Sequence, residues 1–503
     1  MKQTDEFERI LSNFREISAI PRCSKQEGKI CAYLRQRAER QGFSATQDPA
    51  GNLLIRIPAS RGCEGAAVVV IQGHMDMVCE KRADSDHDFS RDPIRITEKD
   101  GWLQADGTTL GADNGIALAL ALALAEDHDL LRPPLELLFT VDEETGLTGA
   151  NRLEPGFVRG KILLNIDSED EGVFTVGCAG GVESRLRMPV TVAPVDPETV
   201  VIHLEADGMR GGHSGVDIHK QRANAIRVIA RALDRVSRSA RIRIVSLAGG
   251  KSHNAIPRSA AVRFCCPGDR VGRVEADLLS VERSVRMEHA ETDPSLTLRW
   301  QVEGGETGAN RAATTEDSLR LICLLLALPD GVQAMSMQIE GLVETSCNLA
   351  RATLLEDRLE IVTSQRSSVM SRLEDITRRI EAAAALAGAT TEQMNAYPAW
   401  EPNLESPLLT RCRETYRALF ARDPMVEAIH AGLECAVIGA RYDAMDMISF
   451  GPTIRNPHSP DEALHLESVE KVWTFLKALM ASFAQQPPSP SGNRSPDTRV
   501  RRS

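Results

Sequence analysis

Five side chains of ligand type stand at the ends of apolar runs or at a helix start: His74 in GHMD, Asp113 in GADNG, Glu144 in DEETG, Asp167 in NIDSE and His458 in NPHSP. An isolated buried charge is very costly, so several ionisable groups at such positions need a compensating partner. A divalent cation supplies one. Imidazole and carboxylate without thiolate suit a catalytic zinc that keeps a position open for water. Two imidazoles and three carboxylates exceed what one such ion takes; they fit two ions about 3.5–4 Å apart that share a carboxylate. Cobalt or manganese accepts similar donors. Asp76 lies just past His74, where a carboxylate can take the second ring N–H of a metal-bound imidazole and fix its tautomer. Glu143 and Glu144 are adjacent at a strand end and point different ways. One can bind metal while the other faces a bridging water, takes its proton and passes it to a leaving amine. Singly, each residue has an ordinary reading: a lone histidine is more often structural, an acidic pair more often a solvated loop, and Asp113 stands where a helix N-cap would.

The elements that must place these groups alternate. Residues 5–18 and 25–41 have helical apolar spacing, with Gly42 as a stop for the second. Residues 50–59 alternate like a strand, and 66–76 form a β-branched run of the kind buried on both faces. A hairpin is expected around Asp100-Gly101, a buried helix over 114–126, and further buried strands over 135–144 and 161–169. The fold class is therefore α/β, a mixed sheet flanked by helices, with its site where strands end at their carboxyl edge. From about Val182 the pattern changes to RLRMPVTV, TVVIHLEADG, RIRIVSLAGG and SAAVRFCC strands, with helices over 221–238, 315–328 and 366–388. The first pattern returns over 404–484. The expected organisation is a catalytic domain over 1–182 and 399–485, interrupted by an inserted α+β lid or dimerisation domain over 183–398. The Pro-, Ser- and Arg-rich end at 486–503 is expected to be a disordered tail.

Composition narrows the class. A net charge of -12 argues against nucleic acid as a partner. Eleven cysteines, an odd number with no C-x-x-C pair, read as reduced thiols in a reducing compartment. The acidic start MKQTDEFERI is no secretory signal, and the apolar run at 116–125 is too short to span a bilayer. The expectation is a cytoplasmic enzyme with no membrane partner.

The blocks QGHMDMV, GTTLGADNGIALALAL, TVDEETGLTGA, LLNIDSEDEG, GCAGG, GGHSGVDIH, NAIPR, HAGLEC and GPTIRNPHSPDE occur in that order. In them the chain resembles the dinuclear-zinc exopeptidase family that includes aminoacylases and carnosinases, and within it the dipeptidases of the aminoacyl-histidine type. The resemblance covers roughly residues 5–484. It implies one zinc on His74 and Asp167, another on Glu144 and His458, and Asp113 bridging them, with a cis peptide to Asn114. It implies Glu143 as general base of a two-zinc-activated water that cleaves dipeptides, Xaa-His included. His213 in GGHSG would stabilise the oxyanion, often from a partner subunit, so a homodimer is expected. Asn254 in NAIP and Arg366 in TSQRSS resemble substrate contacts, Arg366 pairing with the free C-terminal carboxylate; a surface ion pair is its ordinary reading. The rival readings are an N-acyl amino acid deacylase of the same family and a binding protein that kept the fold without the chemistry.

Overall fold

In the computed structural model, which describes residues 2–196, 198–303 and 310–485, the β-branched run becomes the strand Val69–His74, buried along its whole length. The expected tail at 486–503 lies outside the described residues. Leu135–Thr140, Val69–His74, Ile162–Asn165 and Asp446–Ser449 lie side by side and parallel, in that order. Parallel strands are covered on both faces, which is why these segments read as continuous apolar runs. Leu53–Ile57 and then Ser44–Gln47 add antiparallel on one side. Val173–Cys178 and Met425–Ile429 extend the other, completing an eight-stranded mixed sheet. The helix Ala112–Glu126 alternates Ala and Leu and has no polar face; a helix apolar all round belongs in a core. It packs on Val69–His74 and on the helix Lys2–Ser18. The last described helix, Leu466–Ala484, adds Trp473, Phe475, Leu476 and Met480 to the same core. The hairpin Ile96–Lys99 with Trp102–Ala105 turns at Asp100 (φ 51°) and Gly101 (φ 80°), the two left-handed positions of a type I′ turn.

The chain divides into two compact units. The first comprises Met1–Val176, Asn403–Glu427 and the chain from Leu433; the second comprises Gly177–Pro402 and Ala428–Gly432. The second unit is built on a nine-stranded antiparallel sheet. One side of it runs Arg243–Gly249, Val343–Leu354, Arg358–Ser367 and Gly180–Pro189, with Thr390–Tyr397 at the edge. Helices Ala225–Ser237, Val271–Glu288, Thr315–Ala327 and Met370–Leu386 accompany it. Ala225–Ser237 begins where the Asn224 side chain accepts the N–H of Ile226, and buries Ile226, Ile229, Leu233 and Val236 at helical spacing.

Two expectations need correction. The helix expected over 366–388 starts at Met370, and Arg366 belongs instead to the strand Arg358–Ser367. The polar stretch TSQRSS resembles a helix entry, but strands on both sides pair with it, so tertiary pairing overrides the local signal. The cysteines are not all reduced. Cys23 and Cys79 form a disulfide, with Cα atoms 5.7 Å apart. They are far apart in sequence and meet because Cys23 bridges to Met77 and the Arg22 guanidinium holds the carbonyls of Met75 and Asp76. Spacing carries no sign of such a pairing. Cys79→Ser is expected to destabilise the protein by about 2–4 kcal/mol in non-reducing buffer. In reducing buffer the variant and the parent should match. Urea midpoints under both conditions check this; equal midpoints without reductant would show that the bond contributes nothing.

Candidate metal centre

Each ligand-type side chain leaves from the carboxyl edge of the parallel strands or from a helix start beside it. His74 ends the strand Val69–His74. Glu143 and Glu144 follow Leu135–Thr140 after a left-handed residue, Asp142 (φ 51°). Asp167 follows Ile162–Asn165, and His458 lies on the loop beyond Asp446–Ser449. Asp113 stands at the head of Ala112–Glu126 with extended backbone (ψ 107°) and a cis peptide to Asn114. Its carboxylate caps no helix N–H; it goes to the two imidazoles.

His74 Nε2 lies 3.1 Å from Asp113 Oδ1 and 3.4 Å from Asp167 Oδ1. His458 Nε2 lies 3.0 Å from Asp113 Oδ2 and 3.1 Å from Glu144 Oε2. Asp113 thus offers one oxygen to each imidazole. In each of the groups His74–Asp113–Asp167, Asp113–Glu144–His458 and His74–Glu143–Glu144, the donor atoms lie within 4.8 Å of one another. His74 Nδ1 lies 3.3 Å from Asp76 Oδ1, which leaves Nε2 facing the acids. Glu144 Oε1 is buried without a hydrogen-bond partner. Crowded carboxylates and an orphaned acidic oxygen are what a divalent ion would satisfy, and the donors are nitrogen and oxygen as a catalytic zinc takes them.

The electrostatics agree. Burial drives Glu143 well above the usual carboxylate range; nearby Asp167, Glu144 and Glu434 add to this and His74 opposes it. Burial also resists the ionisation of Asp76, but the adjacent His74 ring and hydrogen bonds from Ser24 and the Glu143 N–H bring it down to about 2. Hydrogen bonds to Asp113 and Glu144 lift His458 to about 11. Without a metal, imidazolium charge is what balances the acids, and ligation would release those protons.

Several further residues support the site; Asp76 is expected from its place after His74, whereas Arg22, Glu462 and Glu434 are not singled out by the sequence. Arg22, 1% exposed, donates to the carbonyls of Met75, Asp76 and Gly111 and so ties the His74 loop to the Asp113 loop. Glu462 accepts the N–H groups of Leu110, Gly111 and Asp113. Asp76 accepts from Ser24 Oγ and from the N–H groups of Glu143 and Glu144. Asn114 accepts from the His74 N–H and donates to the Ile166 carbonyl. Glu434 accepts from Gln72 Nε2 and Thr140 Oγ1, each at 2.6 Å, just inside the strand ends. Glu462 and Glu434 lie in the blocks GPTIRNPHSPDE and HAGLEC; Arg22 lies in none of the blocks.

The remaining candidates belong to the second unit. His213 Nδ1 accepts from the N–H groups of Gly215 and Val216, so its Nε2 carries the proton. Burial and the Arg366 guanidinium hold its pKa below that of an ordinary imidazole, which keeps it a neutral donor. Asn254 lies beside Ala255, which pairs with His213, and its Oδ1 accepts from Ser252. Arg366 is buried, and among the described residues no carboxylate pairs with it; Nη1 donates to Tyr397 Oη and Nε has no partner. The surface ion pair is therefore not its role.

The pattern of peptidase family M20/M25/M40 matches residues 70–482. A cytosol non-specific dipeptidase of Escherichia coli K12 is 39% identical over 469 residues, 93% of this chain and 96% of that protein. The crystal structure of aminoacylhistidine dipeptidase from Vibrio alginolyticus superposes with a TM-score of 0.88 at 37% identity, over 94% of this chain and 96% of that one. Aminopeptidase PepT from Bacillus cereus shares the fold at a TM-score of 0.56 and 16% identity, over 95% of this chain and 99% of that one. Among the described residues no helix is long and apolar enough to cross a membrane. By the span and order of these matches, the chain belongs to peptidase family M20/M25/M40.

Proposed function

We propose that this chain is a dipeptidase that works with two divalent ions, zinc by donor chemistry, held by His74, Asp113, Glu144, Asp167 and His458. The observation that carries the reading is the shared carboxylate of Asp113, with Oδ1 toward His74 and Oδ2 toward His458. Asp167 would complete the donors on the His74 side and Glu144 those on the His458 side. Bound there, the ions would polarise the scissile carbonyl and acidify the attacking water. Asp76 would hold His74 with Nε2 free to ligate. Glu143, whose acidic surroundings raise its proton affinity, would take the water's proton and return it to the leaving amine. The Nε2–H of His213 would donate to the developing oxyanion. Arg366 would take the peptide's terminal carboxylate bidentately, which would confine the enzyme to short substrates. Asn254 would be a further substrate contact.

The similarity to a cytosol non-specific dipeptidase and to an aminoacylhistidine dipeptidase, each over nearly the whole chain, supports dipeptides, Xaa-His among them. It also supports a cytosolic setting. A homodimer belongs to the same reading.

Glu143→Ala is expected to lower kcat on a dipeptide panel by about 10²–10⁴-fold while bound metal, read by elemental analysis, stays at the parent level. Parent-level turnover would remove Glu143 from the mechanism. Cleavage by the parent of N-acetyl amino acids but not of free dipeptides would favour the deacylase.

A second prediction concerns the metal-free protein. Burial pushes Glu434 up to about 7, against about 4.3 for a free glutamate. A carboxyl raised on folding contributes stability that is intact below the unfolded value and lost as pH rises through the folded one. After chelation, the melting temperature should fall as pH rises from about 4 to about 7, the interval between the unfolded and folded values. Reloading zinc should raise it, by most at the upper pH. A flat chelated profile would show that the buried acids are not strained by each other.

A further inference from the structure

Arg366, Gly181 and Tyr397 form a row across three neighbouring strands of the second unit. Arg366 is paired with Gly181 on one side, and Tyr397 is paired with Gly181 on the other. Strands two apart are separated by roughly 10 Å, so facing side chains meet only if the middle residue leaves room. Gly181 does so: a Cβ there would sit 2.5 Å from Tyr397 Oη. Over this gap Arg366 Nη1 donates to Tyr397 Oη at 2.6 Å. The register between Thr390–Tyr397 and Gly180–Pro189 shifts between Met394 and Tyr397, and Asn395 is left-handed (φ 51°); such a bulge re-aims the residue that follows it. Gly432 lies against the other edge of the ring, its would-be Cβ 3.1 Å from Tyr397 Cε2.

The chemistry of this contact differs from that of an ion pair. A buried guanidinium is normally paired with an acid, and pairing would spend the charge that a ligand's carboxylate needs. A phenol oxygen fixes one end of the guanidinium and leaves the charge unneutralised. Nε remains without a partner. Gly215 packs against this buried edge and leaves no side chain there: a Cβ would run into the His430 carbonyl and lie 3.3 Å from Arg366 Nε and 3.1 Å from His213 Cε1, so the unpaired Nε adjoins the histidine.

We propose that Tyr397, reaching across Gly181, is the positioning residue that holds the Arg366 guanidinium, still fully charged, for the terminal carboxylate of the substrate. This rests on the reading of Arg366 as the carboxylate anchor. Tyr397 acts through Arg366 and touches no reacting atom.

The test compares a free dipeptide with its C-terminal amide in the zinc-loaded parent, Tyr397→Phe, Arg366→Ala and the double variant, each checked for an unaltered melting transition. Arg366→Ala should abolish most of the preference for the free dipeptide. Tyr397→Phe should shrink that preference by about ten-fold, the size of one hydrogen bond to a charged group, through KM rather than kcat. In the Arg366→Ala background the same change should have no further effect. Gly181→Ala, which keeps both side chains but displaces the Tyr397 ring, should reproduce the Tyr397→Phe phenotype. If Arg366→Ala keeps the preference, the anchor reading itself fails. If Arg366→Ala loses it while Tyr397→Phe keeps it, or if the two losses add in the double variant, the anchor stands and the positioning role is rejected.

Discussion

Two imidazoles from distant parts of the chain reach for the same carboxylate. His74 and His458 each contact a different oxygen of Asp113, and Asp167 and Glu144 crowd in from either side. So many acids within a few ångströms repel one another, and burial makes each charge dearer still. The rest of the first unit can be understood as the framework that forces this arrangement and so makes a place that divalent cations would fill.

Backbone groups do most of the forcing. The parallel strands deliver His74, Glu144 and Asp167 to one edge because that is where such strands end, and His458 follows the short strand Ile454–Arg455 of a neighbouring sheet. The loops between them would drift without restraint. Arg22 gathers three carbonyls from the His74 and Asp113 loops, and Glu462 gathers three N–H groups on the way into the Asp113 helix. Asp76 serves twice, against the His74 ring and against the N–H groups of Glu143 and Glu144. A charged residue that spends its hydrogen bonds on the main chain of another loop fixes geometry without competing for the ligands. The second unit uses the opposite device at Arg366, where a neutral phenol holds a charge without cancelling it.

Much of the first unit was legible in the sequence because buried parallel strands and a two-faced apolar helix leave continuous runs, and because acids and histidines at the ends of such runs have few cheap explanations. Gly42, the Asp100-Gly101 hairpin and the helix from Asn114 could be placed for local reasons. The second unit was harder. Its antiparallel strands carry polar side chains even where they are buried, as TSQRSS does, and their identity depends on neighbours that come from elsewhere in the chain. The helix Val271–Glu288 and the long strand Val343–Leu354 went unread for the same reason. Arg22, Glu462 and the Cys23–Cys79 bond were illegible in principle, since each links segments that only the folded chain brings together.

The central claim is that Asp113 joins two cation sites into one. Titration of the metal-free protein with zinc, read by calorimetry for the parent and for Asp113→Ala, tests it directly. The account predicts two ions per chain for the parent, and for the variant a loss of affinity at both sites from this single change. A parent that takes one ion, or a variant that still binds two with parent affinity, would contradict it.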